Sequence, residues 1–473
     1  MAGCHNTTEW AVHCSQRCTQ DEQDAAFPTP SLSAHKSSPR ALRRRRGGAN
    51  DAACSAIPGL TTGGRVTAAF IGFRPALPSD RCLTGFVSRY PGIYVTTTVP
   101  RGPVRPHRST TISLTRPITT TTMPAITTGL VLVTGASGFV GTHCVAALLD
   151  AGFRVRIAAR SEEKAAHVRS LFPQHKDKIE HAVVKDIDEP TAYDAAVVGV
   201  DGILNLASPV TMSHVGDPNE VIGPAVRGIT NLLNSIKAHN STLKRFVQMS
   251  SGAAMGDFTA APGTVWDESH WNDPAIERCD TLKDKVPGPD KYSASKARAE
   301  RAFWKFIADT KPSWDAVALQ PVFCFGPPTQ FAPKERPSSL FLFNSFLKPN
   351  APAQLLSYPF GSMVDVRDVA KVSVLAFTTP EASGTSPGER YILAADTLWG
   401  NDLALGVERV APGPGYLAAS SDVEWRKSLD EKIVKFDGRK AERVFGFTYM
   451  PKDESIKSTA EAIFKAREGE EQK

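Results

Sequence analysis

Between Leu130 and Ala158 the chain reads as a strand, a glycine-punctuated turn, a helix and a second strand, and no other stretch restricts the possible folds so tightly. Leu130 to Val133 is a short apolar run suited to a buried parallel strand, and it stops at Thr134-Gly135. Gly135, Gly138 and Gly141 follow at the spacing G-x-x-G-x-x-G. The first permits a tight turn, the second lets a pyrophosphate approach the backbone, and the third lets the next helix pack close to the strand. That helix carries Phe139, Val140, Val145, Leu148 and Leu149 as apolar residues, and its N-terminal amides and dipole favour phosphate. Gly152 ends it, and Arg154 to Ala158 closes a unit of the length that a dinucleotide site requires.

The end of the second strand selects between nucleotides. An NAD site places a carboxylate there for the adenosine ribose, and that carboxylate repels a 2′-phosphate. Here Arg160 occupies the corner and Lys164 lies one helical turn further on, which predicts NADPH/NADP+ as the cofactor. Glu162 and Glu163 lie between the two cations and compete as local partners.

From Met123 onward, short apolar strands alternate with longer helices. Strands are expected at Ile179 to Val184, Gly202 to Leu206, Arg245 to Met249 and Ala316 to Leu319, and helices at about 220–238 and 290–308. This alternation predicts an α/β, doubly wound, Rossmann-like parallel sheet, with ligands beyond the carboxyl ends of its strands. A smaller C-terminal substrate-binding portion is expected from parts of 208–220, 321–362 and 395–473. Three strand ends then draw attention: Asp186-Ile187 near the adenine or as a helix cap, Ala207-Ser208 near the nicotinamide ribose, and Ser250-Ser251.

Tyr292 and Lys296 stand at i and i+4, on one face of the predicted helix. An ammonium beside a phenol favours phenolate, so the pair predicts a tyrosine of lowered pKa that exchanges protons near neutral pH. Ser251 upstream supplies a hydroxyl for a carbonyl oxygen. The apolar residues Val210, Met212, Phe323 and Phe325 are candidates for a pocket wall or for core, and His214 for a polar contact.

The set TGASGFVG, Ser251 and Tyr292-x-x-x-Lys296 resembles the extended short-chain dehydrogenase/reductases of the epimerase/dehydratase superfamily. It is most similar to the dihydroflavonol-4-reductase-like branch with its fungal NADPH-dependent aldehyde and ketone reductases. AARSEEK, LASPV, WDESHWND, QPVFCFGP, MVDVRDVAKV and KFDGRKAERVFGF extend the resemblance over residues 129–465. It implies a catalytic triad of Ser251, Tyr292 and Lys296, with Lys296 also holding the nicotinamide ribose. It also implies cofactor contacts at Gly135, Gly138, Phe139, Val140, Arg160, Lys164, Asp186, Ile187, Ala207 and Pro321. Gly252 and Gln320 depart from residues frequent in that branch, and both are expected to border the substrate pocket. The implied reaction is hydride transfer to a small aldehyde, ketone or dihydroflavonol-like carbonyl. A nucleotide-sugar epimerase or dehydratase of the same fold, and a non-catalytic NADP(H)-binding module, are the alternatives.

Composition adds limits. Residues 1–122 carry 15 Lys and Arg against 6 Asp and Glu, whereas residues 123–473 carry 40 against 43. The basic character therefore belongs to the extension, and the catalytic part gives no electrostatic case for nucleic acid. Residues 1–122, rich in Pro, Ser, Thr and Arg, are expected to be a disordered extension to a domain spanning 123–473. Glu9, Asp21, Glu22 and Asp24 argue against a transit peptide, and no apolar run reaches membrane-spanning length. Scattered cysteines without zinc spacing predict a reducing, cytoplasmic setting and no metal. The expected assembly is a monomer or homodimer.

Overall fold

The computed structural model of the chain describes residues 126–209, 214–329, 339–340, 343, 345–347, 351–383, 389–413 and 415–471. The expectations for residues 1–122, Val210 and Met212 lie outside the described residues.

The described residues form twelve strands. They are β1 (Leu130–Thr134), β2 (Arg154–Ala159), β3 (Ile179–Val183), β4 (Gly202–Asn205), β5 (Arg245–Met249), β6 (Val265–Trp266), β7 (Asp315–Pro321), β8 (Phe323–Phe325), β9 (Pro359–Asp365), β10 (Arg390–Leu393), β11 (Asp396–Trp399) and β12 (Lys435–Phe436). Seven of them make a parallel sheet in the order β10-β7-β5-β4-β1-β2-β3. The chain winds outward from β1 to β3 and then returns to the other side of β1 at β4, so the crevice for a ligand opens where these two directions diverge.

Strand alternation divides the core in two. Leu130, Leu132, Ile203, Phe246 and Ala316 face one side, while Val131, Val133, Leu204, Val247 and Val317 face the other. Helices α3 (Asn219–His239) and α5 (Gly288–Thr310) cover the first face. Helices α1 (Phe139–Asp150), α2 (Glu162–Ser170) and α6 (Val366–Thr378) cover the second. Helix α4 (Asp273–Leu282) packs on α5. Burial of both strand faces explains why β1 reads as a continuous apolar run rather than an alternating one.

A smaller sheet, β11-β9-β8, packs with α7 (Gly400–Val410) and α9 (Lys452–Glu471) around Phe325, Met363, Leu398, Leu403 and Ile456. This is the expected C-terminal portion, and two alternatives within it are decided. Helix α8 (Arg439–Phe445) and Phe447 belong to the main-sheet core, because Ala441, Phe445 and Phe447 fill its second face. Phe325 is core, fully buried among Phe343, Phe346 and Phe360, not pocket wall. No helix among the described residues is long and apolar enough to cross a membrane.

At the opposite end of the sheet from the glycine turn, Arg245 is fully buried and pairs with Asp315 at 2.8 Å. Its guanidinium also donates to the carbonyls of Ala376, Phe377 and Thr379, which satisfies the last turn of α6. The glycine turn depends on exclusion. Gly135 has φ +66°, and a Cβ on Gly141 would stand 2.2 Å from the Gly135 carbonyl oxygen. A Cβ on Gly138 would meet that oxygen at 3.3 Å, a contact that a small shift relieves. Gly141→Ala should therefore lose about 1–3 kcal/mol in urea denaturation, as overpacked sites do, and Gly138→Ala clearly less. Equal losses would contradict this division of roles.

Candidate active site

The carboxyl ends of the central strands are laced together by side chains. The Thr134 hydroxyl donates to Asn205 Oδ1 at 2.6 Å and accepts from the amides of Leu206 and Ala207. Asn205 Nδ2 in turn donates to Gln248 Oε1 at 2.9 Å. This brings Ala207, with Ser208 next to it, against the glycine turn, where a Cβ on Gly135 would lie 3.0 Å from the Ala207 nitrogen. Gly138 is exposed, and Phe139 and Val140 are half-buried in the first turn of α1. Pro321, the last residue of β7, is buried.

Arg160 and Lys164 are exposed beyond β2. The intervening carboxylates are engaged elsewhere: Glu162 lies 2.6 Å from His181, and Glu163 accepts from Ser161, which holds its carboxyl below the usual range. The residue just beyond β2 is thus Arg160, where a carboxylate would repel a 2′-phosphate. Asp186 is exposed and its carboxylate accepts from the Asp188 amide at 2.9 Å, closing a local turn with no helix directly after it. Ile187 packs on α3, where a Cβ on Gly228 would touch its Cδ1 at 3.0 Å.

Ser251, Tyr292 and Lys296 converge. Ser251 follows β5 and caps a short turn by accepting from the Ala253 amide at 3.2 Å. Its hydroxyl also hydrogen-bonds with the Tyr292 phenol. Lys296 Nζ lies 5.7 Å from the centroid of the Tyr292 ring, as the i, i+4 spacing on α5 requires. Burial pushes the Tyr292 phenol above its usual value, with the Ser251 hydrogen bond opposing. The expected lowering is therefore reversed: desolvation of the phenolate outweighs its neighbours and favours the protonated phenol. Burial also pushes Lys296 down to about 8, with Glu300 opposing.

Glu300 stands one turn beyond Lys296 and is 1% exposed. Its carboxylate accepts from Arg390 Nε at 2.6 Å, Gln320 Nε2 at 3.0 Å, Trp304 Nε1 at 3.3 Å, and the Ser250 hydroxyl. Arg390 is equally buried, stacks over Trp271 with its guanidinium carbon 3.8 Å from the ring centroid, and donates to the carbonyls of Glu268 and His270. Ser250 and Ser251, neighbours on an extended segment, thus point to opposite sides: one to the buried carboxylate, the other to the phenol.

Gln320 is fully buried, donating to Glu300 and accepting from the Tyr391 amide, so it does not border a pocket. Gly252 is buried too; a Cβ there would lie 2.9 Å from Val322 Cγ1 and 3.4 Å from the Phe436 ring. Val322, with the Phe436 ring behind it, occupies the space that a larger residue after Ser251 would need. His214 faces Glu220 at 2.9 Å. Sequence reasoning missed Glu300, although its position four residues past Lys296 was a usable signal; Arg390, ninety positions away from it, offered none. Glu300→Gln leaves a buried guanidinium without its countercharge and should cost about 3–5 kcal/mol in urea denaturation. A loss under 1 kcal/mol would show that the pair is not what holds this corner.

The chain matches the model of the NAD dependent epimerase/dehydratase family over residues 131–394. It is 31% identical to a ketoreductase of Aspergillus niger over 329 residues, which cover 67% of this chain and 93% of that one. It is 29% identical to the NADPH-dependent methylglyoxal reductase of Saccharomyces cerevisiae, covering 71% and 98%. The crystal structure of yeast methylglyoxal/isovaleraldehyde reductase complexed with NADPH superposes with a TM-score of 0.62 at 28% identity, covering 72% of this chain and 99% of that one. From Val131 in β1 to Ala394 just past β10, the chain belongs to the NAD dependent epimerase/dehydratase family.

Proposed function

We propose that the chain is an NADPH-dependent reductase of small aldehydes or ketones, with residues 123–473 as its catalytic domain. The observation that carries this reading is the convergence of Ser251, Tyr292 and Lys296 at the carboxyl edge of the sheet, on the same edge as the glycine turn. The relatives described above, reductases among them, support it.

The residues present fit the cofactor. Gly135 turns the backbone through a positive φ, exposed Gly138 opens the helix N-terminus to a pyrophosphate, and Arg160 with Lys164 offers charge to a 2′-phosphate. Asp186 and Ile187 would flank the adenine, and Ala207, Ser208 and Pro321 the nicotinamide riboside. Bound there, NADPH supplies a hydride. Ser251 then hydrogen-bonds the substrate carbonyl oxygen and places it beside the phenol. Tyr292, kept protonated by its burial, donates its proton to that oxygen as negative charge develops. Lys296 holds the ribose and stabilises the phenolate left behind.

Tyr292→Phe preserves the ring and deletes the proton donor. Carbonyl reduction should fall by about 10²- to 10⁴-fold, the range general acid catalysis supplies, while NADPH binding persists. Full activity in that variant would overturn the assignment.

Arg160→Ala removes a charge-assisted contact of about 1.5–3 kcal/mol, so NADPH should bind at least about tenfold more weakly while NADH is nearly unchanged. Equal losses for both would contradict 2′-phosphate selection. The lowered pKa of Lys296 sets a third expectation. The protonated ammonium holds the ribose, so wild-type affinity for NADPH should decline as pH rises through about 8. In Lys296→Met, fluorescence titration should show a flat profile over that range. A decline of the same size in the variant would assign the titration to another group.

A further inference from the structure

Lys291, the residue immediately before Tyr292, is 1% exposed, although lysine is among the residue types least often buried. Its Nζ donates to the carbonyl of Gly216 at 2.8 Å and to that of His214 at 3.0 Å. Both carbonyls belong to the connection between β4 and α3. That connection leaves the sheet at Ala207, against the glycine turn, and reaches residues 214–216 beneath the first turn of α5. Gly216 has φ +121°, a backbone conformation open to glycine, and turns its carbonyl toward the ammonium. The same helical turn is fixed on its other side: Asp290 pairs with Arg278 at 2.7 Å, and Arg278 also holds Asp257, six residues past Ser251.

We propose that Lys291 is a positioning residue for the carbonyl substrate, an ammonium latch that fixes residues 214–216, just before the start of α3, against the helix presenting Tyr292. Taking an ammonium out of water is costly, and an apolar side chain would fill the same interior without that cost. What the lysine adds is direction. Its donors seize two carbonyls two residues apart in a part of the connection, residues 214–218, that has no helix or strand to hold it. In sheets of this kind the ligand lies beyond the carboxyl ends of the strands, between such connections. Fixing this one relative to Tyr292 sets the distance between the substrate's flanking group and the proton donor. The latch lies away from Arg160 and Lys164, so it acts on the carbonyl substrate and not on the adenosine end of the cofactor.

The inference rests on the reading of Tyr292 as proton donor, and the experiment separates the two. Lys291→Met keeps an apolar stem of similar length and removes the ammonium; Lys291→Gln keeps two N–H donors without the charge. KM and kcat for a reducible aldehyde, NADPH affinity by fluorescence, and amide exchange in peptides covering 214–219 are measured in both variants and in the wild type. In Lys291→Met, the expected result is an aldehyde KM raised about tenfold or more, with kcat falling less, as for lost positioning of bound substrate. NADPH affinity should stay within about twofold and exchange at 214–219 should quicken, with Lys291→Gln intermediate in both. An aldehyde KM within twofold of the wild type would overturn the proposal while leaving the reductase reading intact. A uniform loss of melting temperature, kcat and NADPH affinity with unchanged KM would also overturn it, as the mark of a purely structural lysine. Should Lys291→Met fail to fold, Lys291→Gln carries the same comparison. A wild type that reduces no carbonyl refutes the reductase reading instead; the latch is then judged by exchange at 214–219, and unchanged exchange refutes it.

Discussion

The buried ion pair between Glu300 and Arg390 is the interaction on which the geometry of the site depends. Two unit charges held out of water are tolerated only when other contacts replace their hydration; here hydrogen bonds do so for the carboxylate, while on the guanidinium Nη2 lacks a hydrogen-bond partner and the Trp271 ring covers the group. The carboxylate takes donors from Arg390, Gln320, Trp304 and Ser250, while the guanidinium lies over Trp271 and reaches two further carbonyls. One side chain thereby joins the helix of Tyr292 and Lys296 to the edge strand β10, to β7 and to the residue before Ser251. A second buried pair, Arg245 with Asp315, fastens the other end of β5 to β7. With both ends of β5 fixed by charges that have nowhere else to go, Ser251 emerges at a defined height opposite the phenol.

Charge also decides what the pair on α5 is able to do. Desolvation acts on the phenol and the ammonium in opposite directions, raising the first and lowering the second toward about 8. Both shifts favour the neutral forms. Glu300 leans against the fall at Lys296, so the carboxylate that fixes the helix also helps the lysine keep its proton. A tyrosine that enters the reaction protonated suits reduction, in which the substrate oxygen gains a proton as the carbon gains a hydride.

Much of this was legible in the sequence because it is local. Gly135 must turn through a positive φ, and Gly141 must lack a Cβ; both demands follow from spacing alone. The strands of the parallel sheet and the placement of Tyr292 beside Lys296 follow from short apolar runs and from a spacing of four residues. What escaped was non-local. Arg390 finds Glu300 across 90 positions, and Lys291 finds Gly216 across 75, pairings that no window along the chain contains. Gln320 was misplaced at the pocket because the family resemblance sets its position beside the substrate, whereas here it completes the hydrogen bonding of a buried charge. The direction of the Tyr292 shift was misjudged for a related reason. The sequence displays the neighbouring lysine, but the depth of burial that outweighs it emerges only when β5, α5 and β7 close around the ring.

The central claim is that the nicotinamide passes its hydride to an external carbonyl and does not merely cycle within a bound sugar. Purified protein given NADPH deuterated at the transferable position of its nicotinamide, with a panel of small aldehydes and ketones, tests this by mass spectrometry of the products. The account predicts stoichiometric oxidation of the cofactor and one deuterium on the carbinol carbon of the alcohol formed. Alcohol lacking the label, or a nucleotide sugar epimerised with no net consumption of the cofactor while the carbonyl panel stays untouched, would contradict it.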